Sequence, residues 1–162
     1  MAVLGCIADD FTGASDAASF LVKGGMSVRL YNGIPDIQAQ DNETGRQEEE
    51  AQAVVIALKS RTQETARAVA DSLAAARFLI SQGVKQIYFK YCSTFDSTPK
   101  GNIGPVADAL MDLMKAPYTL LCPALPVNGR TVEHGMLLVN DVPLHESHMK
   151  NHPLTPMWDC RI

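Results

Sequence analysis

Short apolar runs rich in β-branched residues alternate along this chain with longer stretches of helical period. That alternation constrains the fold more than any other feature, because a crossover helix between two such runs lays the second strand parallel to the first. Strands are predicted at 3–8, 27–31, 53–58, 86–91 and 118–122, with Val54-Val55-Ile56 the most strand-like run. Helices are predicted at about 13–24, 63–82 and 103–115. In the first, Ala14, Ala17, Ala18 and Leu21 share a face and Gly24-Gly25 end it. In the second, Ala66, Val69, Leu73, Ala76 and Ile80 recur at steps of three and four, and Gly83 closes it. The third turns Ile103, Val106, Leu110 and Leu113 inward, with Asn102 placed to cap it. The expected fold is therefore α/β: an open, mostly parallel sheet with helices on both faces.

Two regions break the rhythm. Residues 32–52 are polar and carry Glu48-Glu49-Glu50, which reads as a long solvated excursion. After Pro123 the helical period disappears, and 132–139, the turn-prone Asn140-Asp141 and 142–145 read as a carboxyl-terminal β-hairpin. The closing stretch, with Pro153 and Pro156, reads as a connector.

The chain's 162 residues suffice for one buried core, and 46% hydrophobic with 20% charged residues excludes wholesale disorder, a coiled coil or a fibre. A net charge of −4 argues against a binder that tracks nucleic-acid phosphates. No apolar run approaches the roughly 20 residues that span a bilayer. The apolar start lacks a positive leader and meets Asp9-Asp10 too early for a signal peptide. Cys6, Cys92, Cys122 and Cys160 are widely spaced, as in a cytoplasmic protein with reduced thiols.

In an open parallel sheet, ligands sit beyond the carboxyl ends of the strands. The first strand is followed by Asp9-Asp10-Phe11-Thr12-Gly13 and the third by Lys59-Ser60-Arg61-Thr62. The fourth ends in Lys90, ahead of Asp96-Ser97-Thr98-Pro99-Lys100-Gly101-Asn102, and the fifth leads to Asn128-Gly129-Arg130-Thr131. Carboxylates, hydroxyls and cations on one edge suit a small anion rich in hydroxyls. Acids accept from sugar hydroxyls, and Arg61 and Lys100 suit a carboxylate or phosphate. Free N–H groups at helix starts near Gly13 and Asn102 would help. Taken singly, Asp9, Asp96 and Asn102 read equally well as turn and cap residues.

Sharper motifs fail. There is no Gly-x-x-x-x-Gly-Lys-[Ser/Thr], no Gly-x-Gly-x-x-Gly and no Gly-x-Ser-x-Gly. Asp-x-Asp is missing after the first strand, and a phosphorelay receiver would need an acid where Lys59-Ser60-Arg61 stands. His134, His145, His148 and His152 gather with Glu133, Glu146 and Cys160, but His145-Glu146-Ser147-His148 is one residue short of a zinc-binding helix motif, and no metal site is expected.

The loops from Ile7-Ala8-Asp9-Asp10-Phe11-Thr12-Gly13-Ala14-Ser15-Asp16, from Lys90 with Asp96 to Asn102, and from Pro123-Ala124-Leu125-Pro126-Val127 to Asn128-Gly129-Arg130-Thr131 resemble the amino-terminal domain of the four-carbon acid sugar kinases. Ala57-Leu58-Lys59-Ser60-Arg61-Thr62 and His152-Pro153-Leu154-Thr155-Pro156-Met157 extend the likeness toward their 3-oxo-tetronate branch. Many members of that family have Arg where Lys100 stands, and a shorter segment after the Lys90 position. The resemblance implies an ATP-dependent kinase that phosphorylates a four-carbon sugar acid at its terminal hydroxyl. Residues 1–150 would be the sugar-acid-binding domain, and 151–162 the start of a connector to a nucleotide domain outside this chain, which would hold most of the ATP and Mg2+. Asp10 is expected as the base with Asp96 second, and Asp9, Arg61, Lys90, Ser97, Lys100 and Asn102 as substrate contacts. Arg61 and Lys100 would anchor the substrate carboxylate or steady the transferring charge, while Asn128, Gly129 and Arg130 would face the nucleotide. The implied partner is a small sugar acid, with no nucleic acid or membrane, and homo-oligomerisation is left open. The alternative is a non-catalytic sugar-acid-binding module.

Overall fold

The computed structural model describes residues 2–36, 51–95, 98–153 and 155–162. Strands β1 (Leu4–Ala8), β2 (Val28–Asn32), β3 (Ala53–Ala57) and β4 (Gln86–Lys90) form a wholly parallel sheet in the order β2-β3-β1-β4. Interior strands of such a sheet are covered on both faces and so run continuously apolar. Accordingly β3 is buried at all five positions, whereas Leu30 and Tyr88 on the edge strands are about half exposed.

Helix α1 (Phe11–Lys23) covers one face and α2 (Thr65–Ser81) with α3 (Ile103–Met114) the other. Register decides which residues meet them. The Cys6–Val55 and Ala8–Ala57 pairs face Ala14 and Ala17 of α1. Ile7 and Ile56, with Val54, face Ala68, Ala75, Ala76 and Leu79 of α2 and Val106 and Leu110 of α3. A side chain at Gly5 would stand 2.9 Å from both Leu79 Cδ1 and Val84 Cγ1, so glycine there sets how closely α2 lies on the sheet.

The second sheet is antiparallel: β5 (Arg130–Glu133), β6 (Met136–Val139) and β7 (Val142–Pro143). His134-Gly135 and Asn140-Asp141 make its two turns with every φ positive, the geometry that matches strand twist in two-residue hairpins. Its core joins Leu137, Val139, Leu144, Met157 and Cys160, with Phe95 and Met149 packed alongside. Edge-to-face contacts from Phe89 to Tyr91 (5.8 Å) and from Tyr91 to Phe95 (5.6 Å) tie this core to the parallel sheet.

The structure corrects the sequence reading in three places. The predicted fifth strand at 118–122 pairs with no strand among the described residues, and Tyr118 and Leu120 are 76% and 86% exposed. Its Cys122 N–H is taken instead by the Tyr91 hydroxyl at 2.7 Å. The run 132–139 is two strands, divided at His134-Gly135. Asn102 stands at the start of α3 but makes no side-chain cap bond. The acidic run at 48–50 lies outside the described residues.

No helix among the described residues is long and apolar enough to cross a membrane. The four cysteines are unpaired, Cys6 and Cys160 buried and Cys122 exposed. Burial pushes the Cys6 thiol up to about 12, against a smaller opposing pull from Lys90.

Candidate functional site

The parallel ladder delivers its chemistry to one edge. Asp9 extends β1 by donating its N–H to Lys90 O (3.1 Å), and the Arg61 N–H reaches back to Asp9 O (3.2 Å). The Asp9 side chain, almost fully buried, receives the Arg61 fork: Nε donates to Oδ2 at 3.0 Å and Nη2 to Oδ1 at 2.6 Å. Arg61 Nη1 lies 2.8 Å from Asp10 Oδ2. The other Asp10 oxygen, Oδ1, accepts the Gly13 N–H at 2.7 Å and so caps α1. A Cβ on Gly13 would stand 2.6 Å from Asp10 Oδ1 and 3.5 Å from Lys90 Nζ, so glycine lets the cap close and leaves the ammonium beside it. Lys90 Nζ itself donates to Tyr91 O at 2.8 Å.

Two carboxylates thus face one guanidinium and one ammonium. Burial pushes the Asp9 carboxyl up from its ordinary value, against the hydrogen bonds and charge of Arg61. Burial also works against the charge on Arg61, but the hydrogen bonds to Asp9 and that carboxylate's charge outweigh it and hold the guanidinium more firmly protonated than usual.

Arg61 and Asn102 have different surroundings from those expected. Two Arg61 N–H groups donate to Asp9 and its Nη1 lies 2.8 Å from Asp10 Oδ2 as an ion pair, so its charge is matched within the protein. Asn102 is buried, and its Nδ2 donates to the carbonyls of Ser60 (2.8 Å) and Gln63 (3.0 Å) while Oδ1 accepts from Thr65 Oγ1 (3.0 Å). It braces the loop that carries Arg61. Asp9, Asp10, Arg61 and Lys90 come together; Lys100 is exposed in the turn before α3. Asp96 and Ser97 lie outside the described residues. Asn128, Gly129 and Arg130 belong to the start of the second sheet, where Arg130 Nη1 donates to Asn128 O at 2.6 Å.

Lys59, not singled out from the sequence, places its ammonium 5.1 Å over the Phe11 ring at the rim of this edge. Its position directly after β3, two residues before Arg61, was the available signal. A second, mostly apolar groove of about 240 Å3 lies between α1 and β4, lined by Ala17, Phe20, Leu21, Tyr88 and Leu125 together with Asp16 and Lys90, the last shared with the acidic edge. Its apolar walls do not suit a polyhydroxylated acid. Among the described residues no three His, Cys, Asp or Glu side chains gather as metal ligands.

Comparison with known proteins extends this picture. Residues 4–162 match the family of sugar-binding N-terminal domains. The chain is 56% identical over 160 residues to a 3-oxo-tetronate kinase of Burkholderia multivorans, covering 99% of this chain and 36% of that protein. A crystal structure of a Haemophilus influenzae protein aligns with TM-score 0.86 at 54% identity, over 97% of this chain and 36% of the other. A Bordetella bronchiseptica structure, a domain-swapped dimer with bound citrate, aligns with TM-score 0.79 at 32% identity, over 98% and 38%. The chain therefore spans a little over a third of the length of the relatives it matches. A match that runs almost end to end at such identity is one of kinship as well as architecture: this chain belongs to the family of sugar-binding N-terminal domains found in 3-oxo-tetronate kinases.

Proposed function

We propose that this chain binds a four-carbon sugar acid of the 3-oxo-tetronate or tetronate type at the carboxyl edge of its parallel sheet, and that a kinase containing it phosphorylates that acid at its terminal hydroxyl with ATP. The observation that carries the reading is the state of Asp10. One of its oxygens is held by the α1 backbone and the other by Arg61, yet its side chain remains 31% exposed. Each carboxylate oxygen has a second lone pair, so Asp10 is oriented before a hydroxyl arrives and is still able to accept from it.

Phosphoryl transfer needs the acceptor hydroxyl aligned with the γ-phosphate and a group to take its proton. In this proposal Asp10 does both, with Asp96 second. Lys90, beside the Asp10 cap, and Lys100 supply positive charge for the acid group and for the transferring phosphoryl. Asn128, Gly129 and Arg130 face the nucleotide. ATP and its Mg2+ belong to the rest of the kinase. The citrate in the Bordetella relative is a hydroxy acid, of the chemical class proposed, and that protein's dimer makes self-association part of the proposal.

Calorimetry of the chain with threonate, erythronate and their 3-oxo forms tests the binding half. Saturable binding of one of them is expected, weakened about tenfold or more by Asp10→Asn. Replacing the matched segment of the Burkholderia kinase with this chain tests the transfer, where Asp10→Asn should lower turnover by about 10²-fold or more. Binding without ADP release in that chimera selects the non-catalytic module. Absence of binding to any of the four-carbon acids refutes the site.

A further inference from the structure

We propose that Arg61 is a positioning residue: it acts by fixing Asp10 and does not itself receive the acid group of the substrate. The inference rests on the reading above, in which Asp10 meets the substrate hydroxyl.

A guanidinium is a rigid planar fork with five N–H donors. Once two of them are locked onto the buried Asp9 carboxylate at 3.0 and 2.6 Å, the place of Nη1 is no longer free, and it is held in an ion pair 2.8 Å from Asp10 Oδ2. The backbone reinforces this, since the Arg61 N–H is bonded to Asp9 O and the loop before α2 is braced by Asn102. The path of restraint runs from Asn102 through the loop to Arg61 and from there to Asp10, whose other oxygen is pinned by α1. Asp9, almost wholly buried, serves to aim Arg61 and has little surface to offer a ligand.

Charge argues the same way. One positive group already faces two negative ones, so a substrate carboxylate brought to the remaining Arg61 donors would meet Asp9 and Asp10 at close range. Such a guanidinium is a poor receptor for a further anion. Lys100, exposed in the turn before α3, is ion-paired to neither acid.

The test is a double-mutant cycle read by calorimetry on this chain, using the four-carbon acid that binds best and the uncharged four-carbon polyol of matching stereochemistry. Asp10→Asn and Arg61→Lys are each expected to weaken binding of acid and polyol alike by about 10- to 100-fold, and the double variant to bind no worse than the weaker single. Losses that multiply, or an Arg61→Lys loss confined to the acid, overturn the proposal. Asp9→Asn provides a second reading should Arg61→Lys melt below the assay temperature: it loosens the fork but keeps the guanidinium charge. Positioning predicts weaker binding of acid and polyol; an Arg61 that anchors the acid predicts tighter binding of the acid. If the unaltered chain binds no four-carbon acid, the functional reading falls, an outcome distinct from multiplying losses in a chain that does bind.

Discussion

Replacing Asn102 with alanine removes the brace under Arg61, and the structure sets the size of the effect. Asn102 is 5% exposed, and three of its hydrogen bonds are short: Nδ2 to Ser60 O (2.8 Å), Nδ2 to Gln63 O (3.0 Å) and Thr65 Oγ1 to Oδ1 (3.0 Å). The 3.4 Å contact to Arg61 O is too long to count beside them. At about 1 kcal/mol net for each short bond, the loss is about 3 kcal/mol. For a chain of 162 residues that lowers Tm by about 6–12 °C. Thermal melts and urea titrations of Asn102→Ala against the parent measure it. Asn102→Asp is a sharper variant of almost the same shape, since it turns two donors into acceptors facing carbonyl oxygens. It should be at least as destabilising at pH 7, and less so below about pH 4, where the carboxyl regains one donor. A melt of Asn102→Ala within about 2 °C of the parent, together with lost sugar-acid binding, would refute this reasoning and make Asn102 a substrate contact.

Other expectations follow from single residues. Gly129 has φ +66°, and a Cβ there would overlap Asn140 Oδ1, so Gly129→Ala should cost about 1–3 kcal/mol in urea unfolding. Adding Asn140→Gly should recover part of that loss, and a neutral Gly129→Ala contradicts the geometry. Folding raises the Cys6 thiol from 9.0 to about 12, so above about pH 9 the unfolded chain releases a proton that the native state keeps. That stabilising share is fully present below pH 9 and is lost as pH rises toward 12, with a slope approaching 1.4 kcal/mol per pH unit. Cys6→Ala should flatten the slope of unfolding free energy over that range, and an unchanged slope counts against it. Aromatic disulfide reagents should label exposed Cys122 first and reach buried Cys6 and Cys160 only on unfolding.

Much of this arrangement is written plainly in the residues. The continuous apolar run of β3 announces an interior parallel strand, and the three helices keep a period that only their ends blur. Helix α1 begins two residues before the predicted start because Asp10 reaches forward to the Gly13 N–H, a capping relation already present in their spacing. Parallel strands all end on the same side, and for that reason Asp9, Asp10, Arg61 and Lys90 were expected at one edge and are found there.

What pattern reasoning does not reach is partnership. Arg61 and Asp9 are 52 residues apart, and nothing in their types says whether a cation at a strand end awaits a ligand or a neighbour. Asn102 has the type and place of a cap, but packing of α3 beside the loop before α2 offers its amide stronger partners. The run at 118–122 has strand-like composition, yet pairing depends on an available edge, and the Tyr91 hydroxyl diverts its last N–H.

The most direct test of the site is a titration of the 15N-labelled chain with a four-carbon sugar acid, followed amide by amide. Shifts are expected to gather in residues 9–13, 59–63, 90–91 and 98–102 and to leave the second sheet at 130–143 unmoved. Shifts centred on the groove of Phe20, Leu21, Tyr88 and Leu125, or on the second sheet, would contradict it.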